Sequence, residues 1–218
     1  MPTLLLAEMP GFNTFSRWRS GNAAWPVKLT DEPVSLILGE KLLVIAGRQI
    51  VTAERVEVLA LLSDQLFDDG QPLDKTITCV RDAGAVALLP WGAGKWSGKR
   101  GRLVGEAAVR HSVLLGDSAG RPIGWPAPSI FQRHVVLRGS DPLRMASQQF
   151  MVGRYGFALS GAFDIRRPAE GIHGALRLMM QSPPSFGQRV GPIQFLRQQV
   201  ELRFKHTGLR TRWMKHRT

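Results

Sequence analysis

Short apolar runs separated by joints rich in glycine, proline and polar residues dominate the chain. After an opening strand that ends before Glu8, Leu42–Ala46 is consistent with a buried strand, and Val56–Leu62 reads as another beyond a polar turn. Between Pro72 and Ala83 the period changes. Leu73, Ile77 and Val80 fall on one helical face, Pro72 suits a first turn, and Gly84 suits the stop just past the end. Ala85–Leu89 is wholly apolar, as a parallel strand covered on both faces should be. Val113–Leu115 and Val135–Leu137 read as two more strands. Further helices are predicted around Leu143–Met151, Ala169–Gln181 and Ile193–His206. Strands alternating with helices predict an α/β architecture with parallel strands, whose chemistry gathers in the loops at the strand carboxyl ends.

That rule selects five loops: Glu8–Asn13, Gly47–Gln49, Pro90–Arg100, Gly116–Pro122 and Arg138–Leu143. The third is the richest in charge. Over Trp91–Arg102 it carries glycines together with Lys95, Lys99, Arg100 and Arg102, flanked by Trp91 and Trp96. Glycines let backbone N–H groups approach a phosphate, and basic side chains neutralise it. The alternative is a surface loop whose tryptophans pack on the rim of the fold. The spacing is not that of a Walker loop, since Ala93 stands where the first glycine should be and Arg100 where the hydroxyl should be.

Charge sharpens this picture. The chain has 218 residues with 29 basic and 17 acidic side chains, a net +12. Such an excess attracts anions, although an arginine-rich solvated surface gives the same total. The basic clusters are Lys95–Arg102 and Arg203–Arg217, the second a tail from about residue 203 suited to non-specific contact with nucleic acid. Cys79 is the single cysteine, so no intramolecular disulfide forms, and its place on the 72–83 helix without a partner predicts a core thiol. No apolar run reaches the roughly 20 residues of a membrane span, and the start has no basic n-region of a signal peptide. One cytoplasmic domain covering residues 1–218 is the expectation.

Gly116-Asp117-Ser118-Ala119-Gly120 satisfies the Gly-x-Ser-x-Gly pattern of a nucleophile elbow, which makes Ser118 a candidate catalytic serine, with Asp141 or Asp164 as acid and His173 or His206 as base. The elbow needs a helix directly after the serine, and Pro122, Pro126 and Pro128 oppose one. The other reading is a polar strand-end loop in which Asp117 pairs with Arg121. His111, His134, His173, His206 and His216 show no paired metal-ligand spacing.

The order of segments over roughly residues 3–150 resembles the PHP family, the polymerase and histidinol phosphatase phosphoesterases. Val44–Ile50, Val56–Leu61, Asp69–Leu73 with Gly84-Ala85-Val86, and Gly139-Ser140-Asp141 are similar to successive strand ends of that family. The resemblance implies a distorted β/α barrel with divalent metals at the strand carboxyl ends, hydrolysing phosphoesters. Against that pattern the chain begins at what corresponds to the second strand, and Met9, Gln49, Leu89 and Leu143 stand at positions where the family has metal ligands. Imidazoles and carboxylates are what hold such metals and generate hydroxide near neutral pH; Asp141 and Glu8 keep acidic oxygens. The expectation is therefore an incomplete, distorted PHP-like β/α barrel with parallel strands, without cofactor and without a metal site. It would bind an anionic or phosphorylated small molecule through Glu8, Gln49, Lys95, Lys99, Arg100, Asp117, Arg121 and Asp141. The alternatives are a divalent-metal phosphoesterase whose first-strand ligands are missing from this chain, and a serine hydrolase using Ser118.

Overall fold

The structure is a computed structural model that describes residues 1–143 and 145–214, without the side chains of 146, 147 and 204–214. Among the described residues ten strands and five α-helices follow in the order β1 (Thr3–Glu8), α1 (Thr14–Arg19), β2 (Val27–Leu29), β3 (Ser35–Leu38), β4 (Leu42–Val51), β5 (Glu57–Leu61), α2 (Leu73–Asp82), β6 (Val86–Pro90), α3 (Gly98–His111), β7 (Leu114–Ser118), β8 (Val136–Gly139), β9 (Tyr155–Phe157), α4 (Pro168–Arg177), β10 (Ser185–Gly187) and α5 (Pro192–Met214).

Strands β1 to β8 form one eight-stranded sheet, and β9 and β10 a separate hairpin. The sheet is mixed and open, which corrects the expected parallel barrel. β1 runs parallel to β4, and β6, β7 and β8 are mutually parallel, but β3 and β5 run against β4 and β5 against β6. Residues 43–45 bridge to β1 and β3 at once, and residues 47–48 to β1 and β5, so β3 and β5 share one edge of β4 end to end. The carboxyl ends of β1, β4, β6, β7 and β8 all point the same way. Gly47-Arg48-Gln49, expected to be a loop, is the second half of the ten-residue β4.

Alternation along the strands serves two faces. On one face Val58, Ala60, Ala87, Leu89, Leu115 and Val136 pack against Leu73, Ile77 and Val80 of α2 and Val104, Ala107 and Ala108 of α3. Farther along that face Val44 and Ala46 receive Phe15 of α1. On the other, Ile45, Leu61, Leu88 and Leu137 meet Ala169, Ile172 and Leu176 of α4. The α2 expectation holds closely, and Gly84 ends the helix at φ +73°. Cys79, however, lies on the exposed side of α2 and is a free thiol in solvent, because the buried stripe runs through Leu73, Thr76, Ile77 and Val80. The helix expected over Leu143–Met151 is a short 3₁₀ segment, Ala146–Met151. The last helix is longer than expected, and the basic side chains from Lys205 onward lie outside the described residues.

Four helices begin without a side-chain bond from their own N-cap residue, Asn13, Pro72, Ser97 and Arg167, and at all of them but α3 the cap comes from elsewhere. Distant glutamates do the work instead. Glu8 accepts from the Thr14 and Phe15 amides (2.5 and 3.3 Å), Glu54 from Leu73 (3.0 and 3.2 Å), and buried Glu32 from Ala169 and Glu170 (2.8 and 2.7 Å). Each carboxylate satisfies orphan N–H groups and meets the positive end of a helix dipole. Glu32 thereby fastens α4 to the start of the chain, across more than half the sequence.

Candidate functional site

The carboxyl end of β7 sends adjacent side chains to opposite faces. Asp117 shares the face of Leu115, toward α2 and α3, whereas Ser118 turns to the other. The single motif of the sequence therefore serves two separate places.

On the Asp117 side the chain after β7 folds back on itself. Arg121 grips the Asp117 carboxylate with two hydrogen bonds, Nε to Oδ1 at 2.8 Å and Nη2 to Oδ2 at 2.7 Å, and its Nη1 donates to the Trp125 carbonyl at 2.8 Å. Both side chains are buried, 8% and 3% exposed. The paired carboxylate holds the Arg121 pKa above its ordinary value, hydrogen bonding outweighing burial. Tyr155, from β9, donates its hydroxyl to Asp117 Oδ2 at 3.3 Å. Burial raises the phenol's pKa and the Asp117 charge raises it further, while Arg138 and Arg189 pull the other way.

These groups line a pocket of about 570 Å³ between the strand ends and the β9–β10 hairpin. That size suits a small molecule. Arg138 stands directly opposite Asp117 in the β7–β8 register and donates through Nη1 to the Pro183 carbonyl at 3.1 Å. Arg189 follows β10, and its Nη1 is shielded from solvent and finds no acceptor among the described residues. Three guanidinium charges against the one carboxylate of Asp117 leave a net of two positive charges on the wall. Beyond them the lining turns apolar at Ile123, Ala127, Phe131 and Val136. Gly187 shapes the hairpin side: it sits at φ +77°, and a Cβ there would fall 1.8 Å from the Arg154 carbonyl oxygen.

On the Ser118 side a second polar group gathers at the same ends of the strands. Lys95 pairs with Glu57 at 2.6 Å. Asp141, exposed as a residue and at φ +38°, turns its carboxyl back among Lys95, Glu57 and Ser118. Burial raises its pKa and Glu57 adds to the rise, opposed by Lys95 and by a hydrogen bond with Ser118. Gln49 belongs to this face, because it stands opposite Leu59, two residues from Glu57. Glu8 lies elsewhere, at the end of β1, committed to α1 and to Arg48. Lys99 and Arg100 were expected in a loop, but they occupy the first turn of α3; Arg100 donates to the Gly94 carbonyl at 3.1 Å. Trp91 is buried and Trp96 packs edge-on against Phe131 at 5.8 Å, so both tryptophans serve packing.

Of the eight expected binding residues, the structure brings Asp117 and Arg121 together in the pocket and places Gln49, Lys95 and Asp141 on the other face. Ser118 Oγ accepts from the Gly120 amide at 3.0 Å, which is an ordinary serine turn. No helix follows it, and it bonds to no histidine among the described residues. Leu89 and Leu143 carry no ligating side-chain atom and Met9 only a soft thioether, and Leu89 is wholly inside the core. Among the described residues no three His, Cys, Asp or Glu side chains group to hold a metal ion.

The sequence reading missed Arg138, Tyr155 and Arg189. Arg138 carried a signal, since alternation along β8 puts it on the face of Val136, level with Asp117. Arg189 carried none: only the hairpin brings it to a strand end some fifty residues earlier. No family model matches the chain, and no curated protein matches it. Among solved structures, the crystal structure of PsfC from Pseudomonas syringae PB-5123 is similar to it, with 16% identity, 81% of this chain and 73% of that chain covered, and a TM-score of 0.46.

Proposed function

We propose that this protein binds an anionic small molecule in the pocket of Arg121, Arg138 and Arg189 at the carboxyl ends of β7 and β8. The observation that carries the reading is the surplus of two positive charges on the pocket wall, where Arg189 also keeps a buried Nη1 with no acceptor among the described residues. Leaving such a donor unmade costs about 1–3 kcal/mol, and more when it is charged. An oxyanion set between Arg138 and Arg189 supplies the acceptor once the Arg189 guanidinium turns its Nη1 toward the pocket. Asp117 keeps Arg121 rigid and holds the wall in shape, so the surplus charge is on the other two. The PHP resemblance contributes an expectation of place, the strand carboxyl ends, and binding without metal hydrolysis is the activity this reading assigns.

Thermal stabilisation by inorganic phosphate tests it, since a ligand that binds the folded state raises Tm by mass action. Phosphate at millimolar concentration is expected to raise Tm in the wild type and to lose that effect in Arg189→Met and in Arg138→Met. An equal rise in all three proteins assigns the effect to general surface charge and overturns the reading. Chloride at matched ionic strength serves as the control for screening.

A further inference from the structure

We infer that the ligand of this pocket is amphipathic: an oxyanion head carried on a flat apolar body. The inference rests on the anion-binding reading above and goes beyond it through the other half of the lining. Arg121, Arg138 and Arg189 converge around Asp117 and Tyr155. The rest of the wall offers the apolar side chains of Ile123, Ala127, Phe131 and Val136, with Ser182, Ser185 and Gln188 on the hairpin side. A pocket made for free phosphate or sulfate has no use for that surface. At about 570 Å³ it also exceeds by far the volume of one oxyanion, since a water occupies roughly 30 Å³ of liquid.

Two features make the apolar half a built surface. Phe131 is fixed by its edge-on contact with Trp96, at 5.8 Å and 80°, which in turn packs on the core beneath α2 and α3. Ile123, half exposed, is anchored by a backbone bond from its amide to the Val190 carbonyl (2.9 Å), next to Arg189. The segment that carries the apolar wall is thus tied to the segment that carries the free guanidinium. An aromatic ring or a short branched chain against Phe131 buries apolar area on both partners and gains affinity in proportion. The two surplus charges match a head with two negative charges, as in a monoester of phosphate or a phosphonate.

Calorimetric titration with methylphosphonate and phenylphosphonate separates head from body. The two probes carry the same anionic head and differ in the group attached to it. Phenylphosphonate is expected to bind at least tenfold more tightly to the wild type. Phe131→Ala should cut that preference to below threefold while methylphosphonate affinity stays within twofold. Because Phe131→Ala also removes the Trp96 contact, Ile123→Ser provides a second variant at a half-exposed position and should narrow the preference as well. Equal affinity of both probes for the wild type, with both lost in Arg189→Met, overturns the amphipathic ligand and leaves anion binding standing. If neither probe binds the wild type, both readings are overturned.

Discussion

Two strand ends of this sheet carry the same chemistry with different outcomes. At β1 and β4, Glu8 and Arg48 form a buried ion pair, 3.5 Å apart with side chains 4% and 8% exposed. At β7, Asp117 and Arg121 form another, 2.7 Å apart and equally buried. In the first, every group is consumed within the fold. Glu8 caps α1, and Arg48 donates to the carbonyls of Phe12 (3.0 Å) and Asp64 (3.3 and 3.1 Å). In the second, Asp117 and Arg121 satisfy one another beside a pocket where Arg189 keeps a donor with no acceptor among the described residues. A buried carboxylate–guanidinium pair is thus no sign of function in itself. What distinguishes a site from a brace is whether the neighbouring donors have been used.

The largest expected effect is at the brace. Glu8→Ala removes the α1 cap and strands a buried guanidinium, and breaking such a pair costs about 3–5 kcal/mol. For a domain of this size that is roughly 10 °C in Tm, at about 2–4 °C per kcal/mol. Phosphate should stabilise the variant as much as it does the wild type, because the pocket is untouched. A variant that keeps its Tm would mean the Glu8–Arg48 pair braces nothing, and the contrast would collapse.

Arg121→Met tests the other side. It leaves Asp117 without its bidentate partner, yet Tyr155 still donates to that carboxylate and Arg138 stands opposite it in the register. The expected loss is about 2–3 kcal/mol, below that of a pair left wholly unmet. Here phosphate stabilisation should fall too, since the wall loses its fixed member. Denaturant titration of both variants, with and without phosphate, reads the two effects separately. A larger loss at Arg121 than at Glu8 would reverse the assignment of brace and site.

How much of this was legible in the sequence follows from the range of each interaction. The strands around Leu43–Ile45, Val58–Leu61, Ala87–Leu89 and Leu115, and the helix of Leu73, Ile77 and Val80, announce themselves because burial is encoded in local period. The Asp117–Arg121 pair was also within local reach, four residues apart. Helix α3 was hidden: Gly98, Gly101 and Gly105 and the basic first turn read as a loop, and packing of Val104, Ala107 and Ala108 on the sheet overrides that propensity. Gly101 has a steric reason as well, since a Cβ there would meet the carbonyl oxygen of Trp96, in the turn leading into the helix, at 2.5 Å. The mixed strand directions were not legible, because apolar alternation records which face is covered and says nothing of which neighbour runs which way. The remote caps from Glu8, Glu32 and Glu54, and Arg189 in the pocket, depend wholly on how distant segments meet.

The smallest effect belongs to Tyr155, and it sharpens the comparison because the brace has no hydroxyl of this kind. Tyr155→Phe removes one hydrogen bond, long at 3.3 Å, to a carboxylate that Arg121 still holds. The cost at pH 7 is about 1 kcal/mol, since no buried charge is orphaned. The pH dependence carries more information. Burial and the Asp117 charge raise the phenol's pKa above 10.0, so above that pH the folded chain holds a proton that the unfolded chain has released. Stability from this group is complete below pH 10 and declines as pH rises through the folded pKa. The phenylalanine variant has no such term, so the wild type's advantage should shrink as pH climbs from 9 toward 11. Urea titrations of both proteins at pH 7, 9, 10 and 11 measure the difference, in which the titration of shared lysines cancels. A gap that stays constant across the series would mean that the Tyr155 hydroxyl is open to water, and that the Asp117 end of the pocket is wetter than its packing shows.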